Sequence, residues 1–257
     1  MPNSEWRASS AHRETLLLDP ADLAWEFLRR NPDYKASFAT KFSATDRKVT
    51  ARRWGLRFLA DPKHTADEGA VFWHPDELAS VIILAPGRDR SRAESFVVDD
   101  WLMGLPCQRG DDGTHILLKD GKVRYQILLT TPPKRGMTRL ALIPLDITTP
   151  YRGQATGGFW DYAARRHPRP RFTGASRLER LNMALRALDL RLGGATYRSI
   201  ARALFGPFPA DAPPWKTAPL RDTVIRLVRT GSLMMRGGYR RLLGPTEPQP
   251  VSPIPPR

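Results

Sequence analysis

A single cysteine, Cys107, excludes an internal disulfide framework and any cysteine-rich zinc site. No apolar run approaches the ~20 residues needed to span a bilayer. The stretch Met1 to Arg13 is polar and lacks the apolar stretch of a secretory signal. The histidines His12, His64, His74, His115 and His167 are scattered, without ligand spacing to one another or to Cys107, so no metal site is expected. Gly157-Gly158 lacks the Lys and Ser/Thr that complete a phosphate loop, and no serine stands in a nucleophile-elbow context. Asp99-Asp100 and Asp111-Asp112 are adjacent pairs near turns. Neighbours on a strand point to opposite faces, so these pairs read as solvated loops rather than an acid/base couple. The expectation is a cytoplasmic protein that is not an enzyme, with no catalytic residue, cofactor or metal and no membrane partner.

What the chain has in excess is positive charge, and it is concentrated. Between Arg165 and Leu243 stand 17 Arg or Lys against 4 Asp or Glu, which is +13 of the chain's net +15. Charge that dense on a helical segment repels itself unless a polyanion neutralises it, and the usual polyanion is nucleic acid. The remaining residues are close to neutral.

At 257 residues the chain is long enough for two modest domains. Asp19-Pro20 is a helix start, an Asp cap with Pro in the first turn. Ala21 to Arg30 follows as a helix, interrupted at Asn31-Pro32, with a second short helix over Asp33 to Phe42. Asp46 to Ala60 reads as a third, weakened by Gly55. Ala70 to Trp73 and Ser80 to Ala85 suit strands. Thr114 to Lys119 and Lys122 to Thr130 flank Asp120-Gly121, a hairpin signal, and Arg139 to Ile147 is a further strand. Trp25, Phe27, Trp54, Phe58 and Trp73 are read as core rather than as base-stacking platforms.

Leu178, Leu181, Leu185, Leu188 and Leu192 step by three and four, which predicts a helix capped by Ser176 and stopped by Gly193-Gly194. Thr196 caps a shorter helix with Tyr197, Ile200, Ala201 and Leu204 on one face, ended by Gly206. This has the look of the first helix of a helix-turn-helix. Pro207, Pro209, Pro213, Pro214 and Pro219 mark a connection of about ten residues, against three or four in an ordinary motif. Trp215 is read as the anchor of this loop onto the third helix, with a place at an interface as the alternative. The third helix begins near Thr217. On it Leu220, Val224, Ile225, Leu227 and Val228 share one arc, opposite Asp222, Thr223, Arg226 and Arg229, with Arg221 at the border. Gly231 is expected to close it.

The architecture expected is therefore an α+β N-terminal domain with a small antiparallel sheet, followed by an all-α variant helix-turn-helix domain. The boundaries are a flexible N-terminus over 1–18, the α+β domain over 19–160, a linker over 161–175, the helix-turn-helix-like domain over 176–243, and a disordered proline-rich tail over 244–257.

Several segments resemble a known family. Ala24-Trp25-Glu26-Phe27-Leu28-Arg29-Arg30-Asn31-Pro32-Asp33-Tyr34 is similar to the signature of a transcriptional-regulator-like N-terminal domain of alphaproteobacterial mobile elements. Trp54-Gly55-Leu56-Arg57-Phe58 and Val71-Phe72-Trp73 resemble its later motifs. Leu185-Arg186-Ala187-Leu188-Asp189, Thr196-Tyr197-Arg198-Ser199-Ile200-Ala201, Trp215-Lys216-Thr217, Leu220-Arg221-Asp222 and Arg236-Gly237-Gly238-Tyr239-Arg240-Arg241-Leu242-Leu243 resemble the C-terminal domain of the same proteins, the FseA-like activators of integrative and conjugative elements. The resemblance implies a DNA-binding activator of excision and conjugative-transfer genes, silenced by small antiactivators related to the C-terminal domain.

The candidate DNA contacts are Lys216, Thr217, Arg221, Arg226 and Arg229 on or before the third helix, with Arg198, Arg202, Arg236, Arg240 and Arg241 around it. The N-terminal domain would hold partners such as RNA polymerase or a second protomer. Two other readings stay open: a protein-interaction module whose C-terminal domain binds an antiactivator, and an RNA-binding or replication-initiation protein.

Overall fold

A computed structural model describes residues 18–87, 102–120, 123–134, 137–164, 175–207, 214–215 and 218–244. Expectations for the N-terminus, Asp99-Asp100, the turn at Gly121, the linker core at 165–174, Lys216, Thr217 and the tail from 245 lie outside them. The described helices are α1 (Pro20–Leu28), α2 (Pro32–Ala39), α3 (Ala44–Arg53), α4 (Thr149–Ala163), α5 (Ala175–Leu192), α6 (Tyr197–Phe205) and α7 (Pro219–Met235), followed by a 3-10 helix over Gly238–Leu242. The strands are β1 (Ile82–Pro86), β2 (Cys107–Arg109), β3 (Thr114–Asp120), β4 (Val123–Leu129) and β5 (Arg139–Leu142).

Contacts divide the chain into two compact units that do not follow its order. One holds residues up to Ala39 together with Phe172–Tyr239; the other holds Thr40–Arg171 and the chain from Arg240. Helices α1 and α2 therefore share a unit with α5, α6 and α7.

The sheet corrects the expected small antiparallel arrangement. It is five-stranded and mixed, in the order β2-β3-β4-β1-β5. The hairpin is present as expected, with Asp120 opposite Val123 and the ladder continuing to Thr114 opposite Leu129. However, β1 lies parallel to β4, Ile82 beside Ile127 and Leu84 beside Leu129, and β5 returns antiparallel to β1. A parallel neighbour requires a crossover rather than a tight turn, so no local signal announces it. One face of the sheet, through Ile82, Leu84, Ile116, Leu118, Ile127 and Leu129, packs against Ala155 and Phe159 of α4.

The expected strand at Ala70 to Trp73 is corrected too. Only an isolated bridge joins Leu56 to Trp73. Side chains of β4 tie this segment down in place of a ladder. Gln126 accepts from the Trp73 amide at 2.9 Å and donates to its carbonyl at 2.6 Å, and Arg124 donates to the Val71 carbonyl at 2.9 Å. The third helix is shorter than Asp46 to Ala60: α3 starts under the Ser43 cap and ends at Arg53, before Gly55 at φ 76°.

In the helical unit the caps at Asp19 and Thr196 match the sequence, whereas Ser176, expected to cap α5, lies inside that helix, which begins at Ala175. Asp19 accepts from the Ala21 amide at 2.9 Å, Thr196 accepts from the Ser199 amide at 3.2 Å, and Gly206 ends α6 at φ 92°. The leucine stripe of α5 holds at Leu181, Leu185 and Leu188, which are buried, while Leu192 is exposed. Gly231 does not close α7, which continues to Met235. This glycine is a close-approach residue: a Cβ there would stand 2.6 Å from the Ala184 carbonyl oxygen of α5. Its value lies in letting two backbones meet, which outweighs its low helix propensity.

Candidate nucleic-acid interface

Helices α5, α6 and α7 enclose one apolar core. Ala184 and Ala187 of α5, Ile200 and Ala201 of α6, and Val224, Leu227 and Val228 of α7 are all buried in it, and Trp215 packs against it. Thus Trp215 anchors the loop, as expected. The small residues of α5 and α6 let the helices approach closely, so side chains on their far faces must point to solvent.

On α6 the far face carries Arg198 and Arg202, one turn apart and both exposed, with Phe205 exposed beside them. Two cations at this spacing repel each other and weaken the isolated helix. Arg202 makes no ion pair among the described residues. On α7 the exposed positions include Arg221, Asp222, Arg226, Arg229 and Leu233. Ile225, placed with the apolar arc by the sequence, is only half-buried. Asp222 lies 3.7 Å from Arg221. Arg226 touches the Thr223 hydroxyl at 3.5 Å, and Arg229 has no acidic partner among the described residues. Arg236 is exposed just past the helix end.

Arg240 and Arg241 belong to the other unit. Arg240 is committed there: it donates to the Arg53 carbonyl at the end of α3 at 2.5 Å and lies 3.8 Å from Glu77. Arg241 is exposed.

Among the described acids of the basic segment, Asp222 stands beside Arg221 and Asp189 is drawn away from these cations. Asp189 is taken by Arg30, in the turn after α1, with Nε to Oδ1 at 2.5 Å and Nη2 to Oδ2 at 2.9 Å. Burial acts against the Arg30 charge, but the hydrogen bonds and charge of Asp189, then of Glu26, outweigh it and hold its pKa above the ordinary value. Arg191 is also occupied, donating to the Ala195 carbonyl at 3.1 Å and lying over the Tyr197 ring.

Sequence reasoning missed a second charged cluster, in the sheet unit. Asp111 and Asp112 do not point apart; both converge on Arg57. Arg57 reaches Asp112 through Nε at 3.1 Å and Nη2 at 2.7 Å, and also bonds Asp111. His115 completes the group at 2.9 Å from Asp112. Burial opposes ionisation of Asp112, but the hydrogen bonds from Arg57 and His115 hold its pKa at about 2. Burial pushes His115 down, against the pull of Asp112. Asp111 and Asp112 lie on the turn from β2 to β3, where strand alternation no longer governs direction. A cleft of about 710 Å³ opens beside this cluster, lined also by Lys48, Arg52 and His74.

Among the described residues, no helix is long and apolar enough to cross a membrane. Residues 142–244 match a family model described as "T6SS, Transcription factor, DNA binding domain". Residues 5–59 match one described as "Proteobacterial transcriptional regulator-like domain". Among curated proteins no sequence matches the chain. Residues 60–141, which include β1 to β4 and most of β5, fall outside both matched segments.

Proposed function

We propose that this chain, a DNA-binding transcriptional regulator by both of its family matches, activates excision and conjugative-transfer genes of a mobile element. In this reading α7 enters a major groove as the second helix of a variant helix-turn-helix, with α6 crossing the backbone. Arg226 and Arg229 lie nearest the base edges, and Arg221, Lys216 and Thr217 hold the helix start against phosphate. Arg198, Arg202 and Arg236 of the helical unit are the flanking phosphate contacts. Arg240, held at the end of α3, is not in the set.

One observation carries the reading. The arginines of α6 and α7 stand exposed on the far side of a shared apolar core, with Asp222 beside Arg221 and Asp189 already bound by Arg30. Arg202 and Arg229 make no ion pair among the described residues, and duplex phosphate would neutralise them. RNA polymerase would meet the sheet unit, where Leu140 and Leu142 of β5 and the following Ile143 and Leu145 expose apolar surface. A small antiactivator resembling the C-terminal helices would compete for the helical unit.

Genome-wide immunoprecipitation of the tagged protein tests this function. A sharp peak upstream of an excision gene is expected. Coverage without peaks, or recovery of RNA in place of DNA, would reject it.

A further inference from the structure

Asn31 joins three helices. It stands between α1 and α2 and is 3 % exposed. Its Oδ1 accepts from the Asp33 amide at 2.8 Å and the Tyr34 amide at 3.3 Å, which caps α2. Its Nδ2 donates to the Met235 carbonyl at 3.0 Å. That carbonyl lies in the last turn of α7, where carbonyls have no partner within the helix. The preceding residue, Arg30, forks onto Asp189 of α5 and turns its Nη1 back to the Glu26 side chain at 2.6 Å and the Glu26 carbonyl at 2.5 Å. Two consecutive residues therefore hold the end of α7 and the last turns of α5 at once. Gly231 sets the other constraint, pressing the α7 backbone against Ala184.

We infer that Arg30 and Asn31 are positioning residues for α7: they fix its tilt against α5 and thereby the reach of Arg226 and Arg229, without touching nucleic acid themselves. This rests on the reading of α7 as the DNA-contacting helix. The lever is long. Arg226 is nine residues from Met235, roughly 13 Å along the axis. A tilt of about 5° about the clamped end moves it by roughly 1 Å, enough to stretch a hydrogen bond past its working range. A bidentate pair and a two-ended amide each have one good geometry, so they define an orientation as well as an attachment. The segment matched to the regulator-like family, 5–59, supplies the clamp, and the segment matched to the DNA-binding family, 142–244, supplies the helix it holds.

Asn31→Asp separates the two ends of this residue. The aspartate still caps α2 but turns an acceptor toward the Met235 carbonyl. Asn31→Ser retains a short cap acceptor and cannot reach Met235, so it serves if the aspartate unfolds the helical unit. The probes are a duplex recovered by the full wild-type chain from a randomised pool and a scrambled duplex of the same composition. Each is titrated with salt. The preference for the recovered duplex should fall about tenfold or more, while the salt slope on either duplex stays at the wild-type value. Wild-type preference in both variants would overturn the inference and leave the α7 reading intact. So would an equal loss on both duplexes, the mark of a merely structural residue. A wild-type chain that recovers no preferred duplex would remove the α7 reading itself, and this inference with it.

Discussion

Arginine has opposite fates in the two units. In the sheet unit Arg152 is 4 % exposed and donates to the Val81 carbonyl at 2.9 Å, the Pro75 carbonyl at 2.7 Å and the Thr148 hydroxyl at 3.0 Å. Arg57 is buried against two carboxylates, and Arg124 against a carbonyl. These guanidinium groups tie loops to the sheet. In the helical unit the half-buried Arg30 removes an acid from the basic segment, while Arg202, Arg226 and Arg229 face solvent. A count of arginines treats both sets alike. Burial and partner chemistry tell a strut from a contact, so substitutions in the first set should cost stability and those in the second should cost binding.

The largest effect tests the packing beneath the exposed set. Gly231→Ala places a methyl against the Ala184 carbonyl and the Leu188 side chain, and neither backbone can yield. A loss of about 3 kcal/mol or more in denaturant unfolding of the helical unit is expected. A neutral outcome would mean that α5 and α7 do not meet there. Arg152→Met comes next. It leaves two buried carbonyls unpaired, at a cost of about 2–3 kcal/mol by chemical denaturation, with duplex affinity unchanged in the folded protein. Lost DNA binding at full stability would erase the contrast between the units.

Acid titration gives a smaller effect. Asp112 has its folded pKa at about 2, below its ordinary 3.8. Its stabilisation is thus complete above pH ~4 and lost as the pH falls toward 2. The side chain is a third exposed, so solvent screening limits the contribution to about 1 kcal/mol. Asp112→Asn should flatten the acid limb of the stability curve in that window; an unchanged limb would mean that Arg57 does not hold the carboxylate. The smallest effect is Arg202→Ala, which should leave the melting temperature unchanged and reduce the salt slope of duplex binding by about 1.

Local features were legible in the sequence. The caps at Asp19 and Thr196, the stop at Gly206 and the β3–β4 hairpin each follow from residues close in sequence. Long-range pairings were not. Nothing near Ile82 marks Ile127 as its parallel neighbour, and nothing near Gly231 tells a stop from a close approach to Ala184, 47 residues away. Helix α4 was also missed, because Gly153, Gly157 and Gly158 mask the Ala155 and Phe159 face that packs on the sheet. Of the candidate interface, the exposed arginines of α6 and α7 were readable from helical period. The clamp was half readable: Asn31-Pro32 announced a helix boundary, but the contact from its amide to Met235 spans 204 residues.

The most direct measurement is the salt dependence of duplex binding by the full chain, compared with the Arg226→Ala/Arg229→Ala double variant. Wild-type affinity should fall steeply between 50 and 200 mM salt, on the order of 10³-fold or more if six or more phosphates are contacted. The double variant should bind at least tenfold more weakly at every salt concentration while unfolding at the wild-type denaturant midpoint. Wild-type affinity that ignores salt, or a double variant that binds duplex as tightly as the parent, would contradict the reading of α7 as the DNA-contacting helix.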